Sequence, residues 1–192
     1  EPADQDSLTA AIGTANELIR KIKAARALKK TRTREDEAAR AELLAALDPI
    51  LAGAKRTFPE GTGERDLFGV GANLVNVTTA RLYRLAVDSG KNLGPGENGA
   101  PPKYAIKGVL PAEITRLGTL GSKYRDADFA QTDAIITAAE LLDQLTAHMN
   151  GVLNPSRREL QFAAEQAWPY RDPLNRSKRF AFGLPPNRPM TE

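Results

Sequence analysis

Seven cations and no acid lie between Lys21 and Arg34: Lys21, Lys23, Arg26, Lys29, Lys30, Arg32 and Arg34. Such a run is either the solvated, dipole-matched end of a helix or a docking patch for phosphate, anionic lipid or an acidic protein face. A second concentration lies in the last stretch, WPYRDPLNRSKRFAFGLPPNRPMTE. There Trp168, Tyr170, Phe180 and Phe182 are mixed with Arg171, Arg176, Lys178 and Arg179 among five prolines. Aromatic and arginine side chains are the types that anchor interfaces, so both concentrations are assigned to partner docking.

Catalytic and metal-binding constellations are harder to assemble. The single histidine, His148, falls in a helical pattern and reads as a polar edge residue, and the Glu-x-x-His pairs of di-iron bundles are absent. Cysteine is absent too, which removes thiolate zinc sites, thiol nucleophiles and disulfides. Asp126 and Asp128 have the opening spacing of a calcium loop, but Ala130, Gln131 and Thr137 stand where a third oxygen ligand, a glycine and a glutamate are needed. Gly69 and Gly71 lack the third glycine and the preceding strand of a dinucleotide fingerprint. The stretch from Gly94 to Lys103 lacks phosphate-loop spacing, so both read as turns. The expectation is a chain with no catalytic residue, metal or cofactor.

The elements that would position the docking residues come from hydrophobic periodicity. Leu8, Ala11, Ala15, Leu18, Ile22 and Ala25 predict a first helix over about 5–30. Thr33 as an N-cap, with Asp36 three residues on, predicts a tight hairpin into a second helix carrying Leu43, Leu47, Ile50 and Ala54, kinked or restarted at Pro49. Leu67, Val70, Leu74, Val77, Leu82 and Leu85 predict a third helix that stops at Gly90. The glycine- and proline-rich stretch 90–108 predicts a long loop that is functional or docked. Pro111 opens a short helix to Gly121. The stretch Asp126 to Gly151, with Ile135, Ala139, Leu142, Leu145 and Met149 on one broad stripe, predicts the central buried helix, about 38 Å long and stopped by Gly151 and Pro155. A last helix follows Pro155 to Ala167. Together these predict an all-α chain: an up-and-down four-helix bundle with a short extra helix over 1–167, and an extended Pro/Arg/aromatic arm over 168–192.

Composition agrees with packed helices, since aromatics are only 6% of the 192 residues. No apolar run is long enough to cross a bilayer. The net charge of +3 suits acidic surfaces without demanding nucleic acid. The polar opening EPADQDS is the start that removal of a targeting segment would leave, and trimming of the chain would leave it too; removal is the expectation.

Such an opening, four main helices in antiparallel order, a positive charge and no catalytic constellation resemble the Q-type (PsbQ-like) extrinsic subunits of photosystem II and their algal relatives. The resemblance covers about 5–153, through LTAAIGTANELIRKI, ARAELLAALDPILAGAKRTFP, ANLVNVTTARLYRLA and the central stretch. It implies a non-catalytic four-helix bundle in the thylakoid lumen that docks on a membrane-embedded core and supports the oxygen-evolving centre. The long 90–108 loop and the arm depart from that pattern. The expected function is an accessory or stabilising subunit of a large protein assembly, peripheral to a membrane, and specifically an extrinsic photosystem subunit. The alternative is an RNA-contacting helical subunit of a ribonucleoprotein particle in an organellar matrix or the cytoplasm. The near balance of 24 acids against 27 bases weighs against it.

Overall fold

The computed structural model describes residues 2–96 and 100–190, with side chains from Asp6 onward. The chain start and part of the 90–108 stretch therefore lie outside the described residues. Among the described residues all regular structure is helical. The elements are α1 (Pro2–Thr57), α2 (Gly63–Leu67), a 3-10 turn (Leu74–Asn76), α3 (Thr79–Leu93), α4 (Pro111–His148), a π turn (Met149–Leu153), α5 (Asn154–Ala167), a second 3-10 turn (Pro173–Asn175) and α6 (Arg176–Ala181). They form two compact units: residues 27–136, and residues 1–26 with 137–192.

The hairpin expected at Thr33 is absent, because α1 runs through it without a break. The Thr33 hydroxyl donates back to the Lys29 carbonyl at 3.0 Å, and Thr31 donates to Ala27 at 3.3 Å, so neither caps a new helix. No glycine or proline interrupts 14–48. The buried positions Ala15, Ile22, Leu43 and Ile50 also keep one seven-residue register across the supposed turn. Pro49 does not restart the helix either. It is only half-buried, and the Ala45 carbonyl that loses its donor sits on an exposed residue.

In the unit of residues 27–136, Leu43, Leu47 and Ile50 of α1 meet Leu82 and Ala86 of α3 and Leu117, Leu120 and Tyr124 of α4 in one cluster. Burying each leucine contributes about 2–3 kcal/mol. The expected third helix is divided: only α3, N-capped by Thr78, is a long helix, and it passes Gly90 to end at Leu93. The loop after α3 is docked on its own unit. Tyr104 donates its N–H to Asn92 and packs edge-on against Phe58 and Phe68, while Ile106 is buried against Gly53 of α1, where any larger residue would overlap it. Arg65 closes the end of α1 by donating to the Phe58 and Lys55 carbonyls.

A polar layer crosses this core. Arg40 donates to the Tyr124 hydroxyl at 2.9 Å and to the Val75 and Val77 carbonyls at 2.7 and 3.0 Å, and Thr79 bridges Tyr124 to Asp128. Asp36 occupies the same seven-residue register as Leu43 and Ile50, with Oδ1 buried and unpartnered. Burial, and then the charge of Asp128, raises its carboxyl above the ordinary 3.8 against the opposing pull of Arg40, with Glu37 adding to the rise. A folded-state value above the unfolded one means that the folded chain binds more protons in that window. Stability therefore falls as pH rises from 3.8 through the raised value, and a constant penalty remains at neutral pH. Asp36→Asn is expected to raise the stability of this unit at pH 7, because the neutral amide has no charge for burial and Asp128 to disfavour. The gain should vanish at pH 3 in thermal melts, and an equal gain at both values would contradict the assignment.

The predicted helices 111–121 and 126–151 are one helix, α4, which starts at Pro111 as expected and passes through Gly118 and Gly121. Gly121 lies against Ala86 of α3, where small residues let two helix backbones approach. The expected stop at Gly151 and Pro155 is absent. Pro155 has no N–H for the Gly151 carbonyl, and the widened π turn carries the helix past it into α5.

Candidate docking surface

The unit of residues 1–26 and 137–192 is built differently. Its buried apolar residues are Ala11, Ala15, Ile22 and Ala25 of α1, Ala164 of α5 and Leu184. Alanines bring helices close but remove little apolar area from water. The half-buried His148, at the end of α4, donates from Nε2 to the Ala11 carbonyl at 2.8 Å, which ties the two helices together.

What this core leaves outside is the more telling feature. The stretch expected to be the buried centre of the chain is mostly exposed: Ile135, Ala139, Leu142 and Val152 face solvent, and only Ala134 among its described residues is buried. The core that organises α4 lies earlier, at Leu117, Leu120 and Tyr124. In α1, Ile12 is 46% and Ile19 is 40% exposed, and on α5 Phe162 is 58% exposed. Ile12, Ile19 and Arg26 follow one another at sevens, so they share a face of α1 that is distinct from the buried alanines. The sequence does contain this signal, as isoleucines running alongside the alanine stripe.

The basic run is placed on the middle of α1 and not at a helix end. The dipole-matched explanation therefore falls, since α1 continues to Thr57. Lys21 pairs with Glu17 at 2.8 Å and Arg32 with Glu35 at 2.7 Å. Lys23, Arg26, Lys29, Lys30 and Arg34 are exposed, with no carboxylate partner among the described residues. Lys21, Lys23 and Arg26 belong to the unit of residues 1–26 and 137–192, and Lys29, Lys30, Arg32 and Arg34 to the other.

The arm is not extended. It makes a 3-10 turn and α6 and folds onto α5 around Arg179, which is fully buried. Arg179 pairs with Glu165 at 2.7 Å and donates to the Trp168, Pro185 and Arg188 carbonyls. Trp168 stacks on Phe182 at 5.0 Å, Lys178 lies over the Trp168 ring, and Arg171 and Arg179 flank Tyr170. Of the aromatic and basic side chains expected to dock, Trp168, Tyr170, Arg179 and Phe182 are thus engaged within the arm. Phe180, Arg171, Arg176 and Lys178 are exposed.

The two carboxylates with calcium-loop spacing lie inside α4, Asp126 paired with Arg125 and Asp128 accepting from Thr79. Among the described residues no three metal-ligating side chains come together, and no helix is long and apolar enough to cross a membrane. No family profile, curated protein or solved structure matches the chain.

Proposed function

We propose that this chain is a non-catalytic accessory subunit that docks, through the exposed stripe of its first helix, on an acidic helical surface of a larger protein assembly. The observation that carries the reading is the alanine-cored helix pair of residues 1–26 and 137–192, which leaves Ile12 and Ile19 in water with Lys23 and Arg26 beside them. An apolar helix face of this kind gains stability only when another element covers it. The cations next to it select a partner ridge flanked by acids. Two partner helices laid on this pair would complete a four-helix, up-and-down arrangement. The specific form of the proposal is an extrinsic subunit on the lumenal side of a thylakoid complex, reached after removal of a targeting peptide, and it rests on the resemblance to the Q-type subunits. The ribonucleoprotein reading is weakened because Trp168 and Phe182, the aromatics that would stack on bases, stack on each other.

The test is a double substitution, Ile12→Ser with Ile19→Ser. Ile12 is 46% and Ile19 is 40% exposed, so the chain's own stability should fall by about 1 kcal/mol for each, and affinity is read on the folded variant. Affinity for the parent assembly should drop by about tenfold or more, the loss of roughly 1.4 kcal/mol that apolar contacts of this size supply. Unchanged affinity would remove the stripe from the account.

A further inference from the structure

A groove of about 600 Å³ lies between the 66–77 segment and α3, within the unit of residues 27–136. Its volume is that of small-ligand sites, roughly 300–1,000 Å³. Leu67, Val70, Leu74, Val77 and Leu85 supply apolar walls, and Arg81, Arg84, Asp66 and Asp88 supply charge. The segment can approach α3 this closely because Gly69 has φ +75°, and a Cβ on it would come within 2.8 Å of Leu85. Gly71, at φ +89°, carries the backbone along the groove with no side chain in the way.

Two observations make this more than a gap in packing. Neither Arg81 nor Arg84 has a carboxylate partner among the described residues, although Asp66 and Asp88 line the same groove. Arg81 also sits in the first turn of α3, which carries no acid and where the helix dipole disfavours a cation. A bound anion would offset that cost. The lining charges cancel, two arginines against two aspartates, so a polyphosphate would meet several times the repulsion that a monoanion meets. Arginine also matches the planar, two-oxygen face of a carboxylate.

The geometry points to a binding site for an amphipathic monocarboxylate, its apolar body against the leucine and valine walls and its head on Arg81 and Arg84. This is a second, small-molecule role for the chain, independent of the docking stripe.

Decanoate, kept below its micelle concentration, is titrated calorimetrically into the full chain at pH 7, with decanol and acetate as parallel arms. Amide shifts are followed in a nitrogen-15-labelled sample. Decanoate should bind and move the Gly69 and Gly71 amides, while decanol and acetate each bind at least about tenfold more weakly. Arg81→Gln with Arg84→Gln, both on exposed residues, should weaken decanoate by about tenfold to a hundredfold. Asp88→Asn should tighten it by a few-fold. No binding overturns the site, as do shifts that avoid the two glycines, decanol binding as well as decanoate, or Arg81→Gln/Arg84→Gln and Asp88→Asn variants that leave the affinity unchanged.

Discussion

An Arg179→Leu variant loses the fold of its C-terminal arm while the helical signal of the rest of the chain stays in place. The guanidinium is fully buried and makes four connections, to Glu165 and to the carbonyls of Trp168, Pro185 and Arg188. Leucine approximates its volume and supplies none of the donors. It leaves three carbonyls and a largely shielded carboxylate unpaired, and breaking a buried pair from one side costs about 3–5 kcal/mol. The stacked pair of Trp168 and Phe182 is held by the same centre, so the near-ultraviolet signal of the only tryptophan should collapse. Tryptic cleavage after Arg171 and Arg176 should accelerate by about a hundredfold, the population shift that roughly 3 kcal/mol produces. Arg179→Lys should lose nearly as much, since a single ammonium cannot reach four acceptors held in the plane of a guanidinium. Cleavage rates equal to those of the parent chain would show that the arm is held by something else.

The second large effect is expected at Arg40. Its three donated hydrogen bonds join α1 to α4 through Tyr124 and to the segment before α3 through Val75 and Val77. Its charge also offsets the repulsion between Asp36 and Asp128. Arg40→Ala should therefore destabilise the unit of residues 27–136 by about 3 kcal/mol, seen as a lower urea midpoint with an unchanged slope. Tyr124→Phe alone should cost about 1 kcal/mol. The double variant should cost less than the sum, because the bond between the two residues is lost only once. Strict additivity would place Arg40 and Tyr124 in separate networks.

Much of the helical content was legible in the sequence, while the helix boundaries and the location of the core were not. The helical character of 5–30, 33–57 and 126–151 followed from apolar spacing, and that of 111–121 from Pro111 at a first helical position. Spacing does not say whether two adjacent segments are one helix. Thr33 and Asp36 have the residue types of a capping box, yet the same threonine hydroxyl is satisfied just as well by the Lys29 carbonyl one turn back. The register of Ile22, Leu43 and Ile50 decides between them, and it becomes visible only when the pattern is carried through the charged residues. The central stretch misled for a different reason. An apolar stripe states that a face seeks cover, but not whether the chain itself supplies all of it, and Leu142 and Val152 stay 44% and 43% exposed. The arm misled because five prolines suggest extension, whereas Pro173 here opens a 3-10 turn with Asp172 as its cap. Of the candidate site, the basic run was found from charge alone. The partnering of Arg179 with Glu165 was not, because the two stand fourteen positions apart and the turns between α5 and α6 decide whether they meet. The groove beside α3 left almost no trace in sequence beyond Gly69 and Gly71, which read as turn glycines.

The measurement that bears most directly on the docking account is quantitative mass spectrometry of the native particle that carries this chain, recovered from membranes before and after a high-salt wash, with nuclease treatment in parallel. The account predicts co-purification with the protein subunits of one assembly, release by salt because Lys23, Arg26 and the rest of the basic run attract an acidic partner, and indifference to nuclease. A chain recovered free of other subunits, or one freed by nuclease and not by salt, would contradict it.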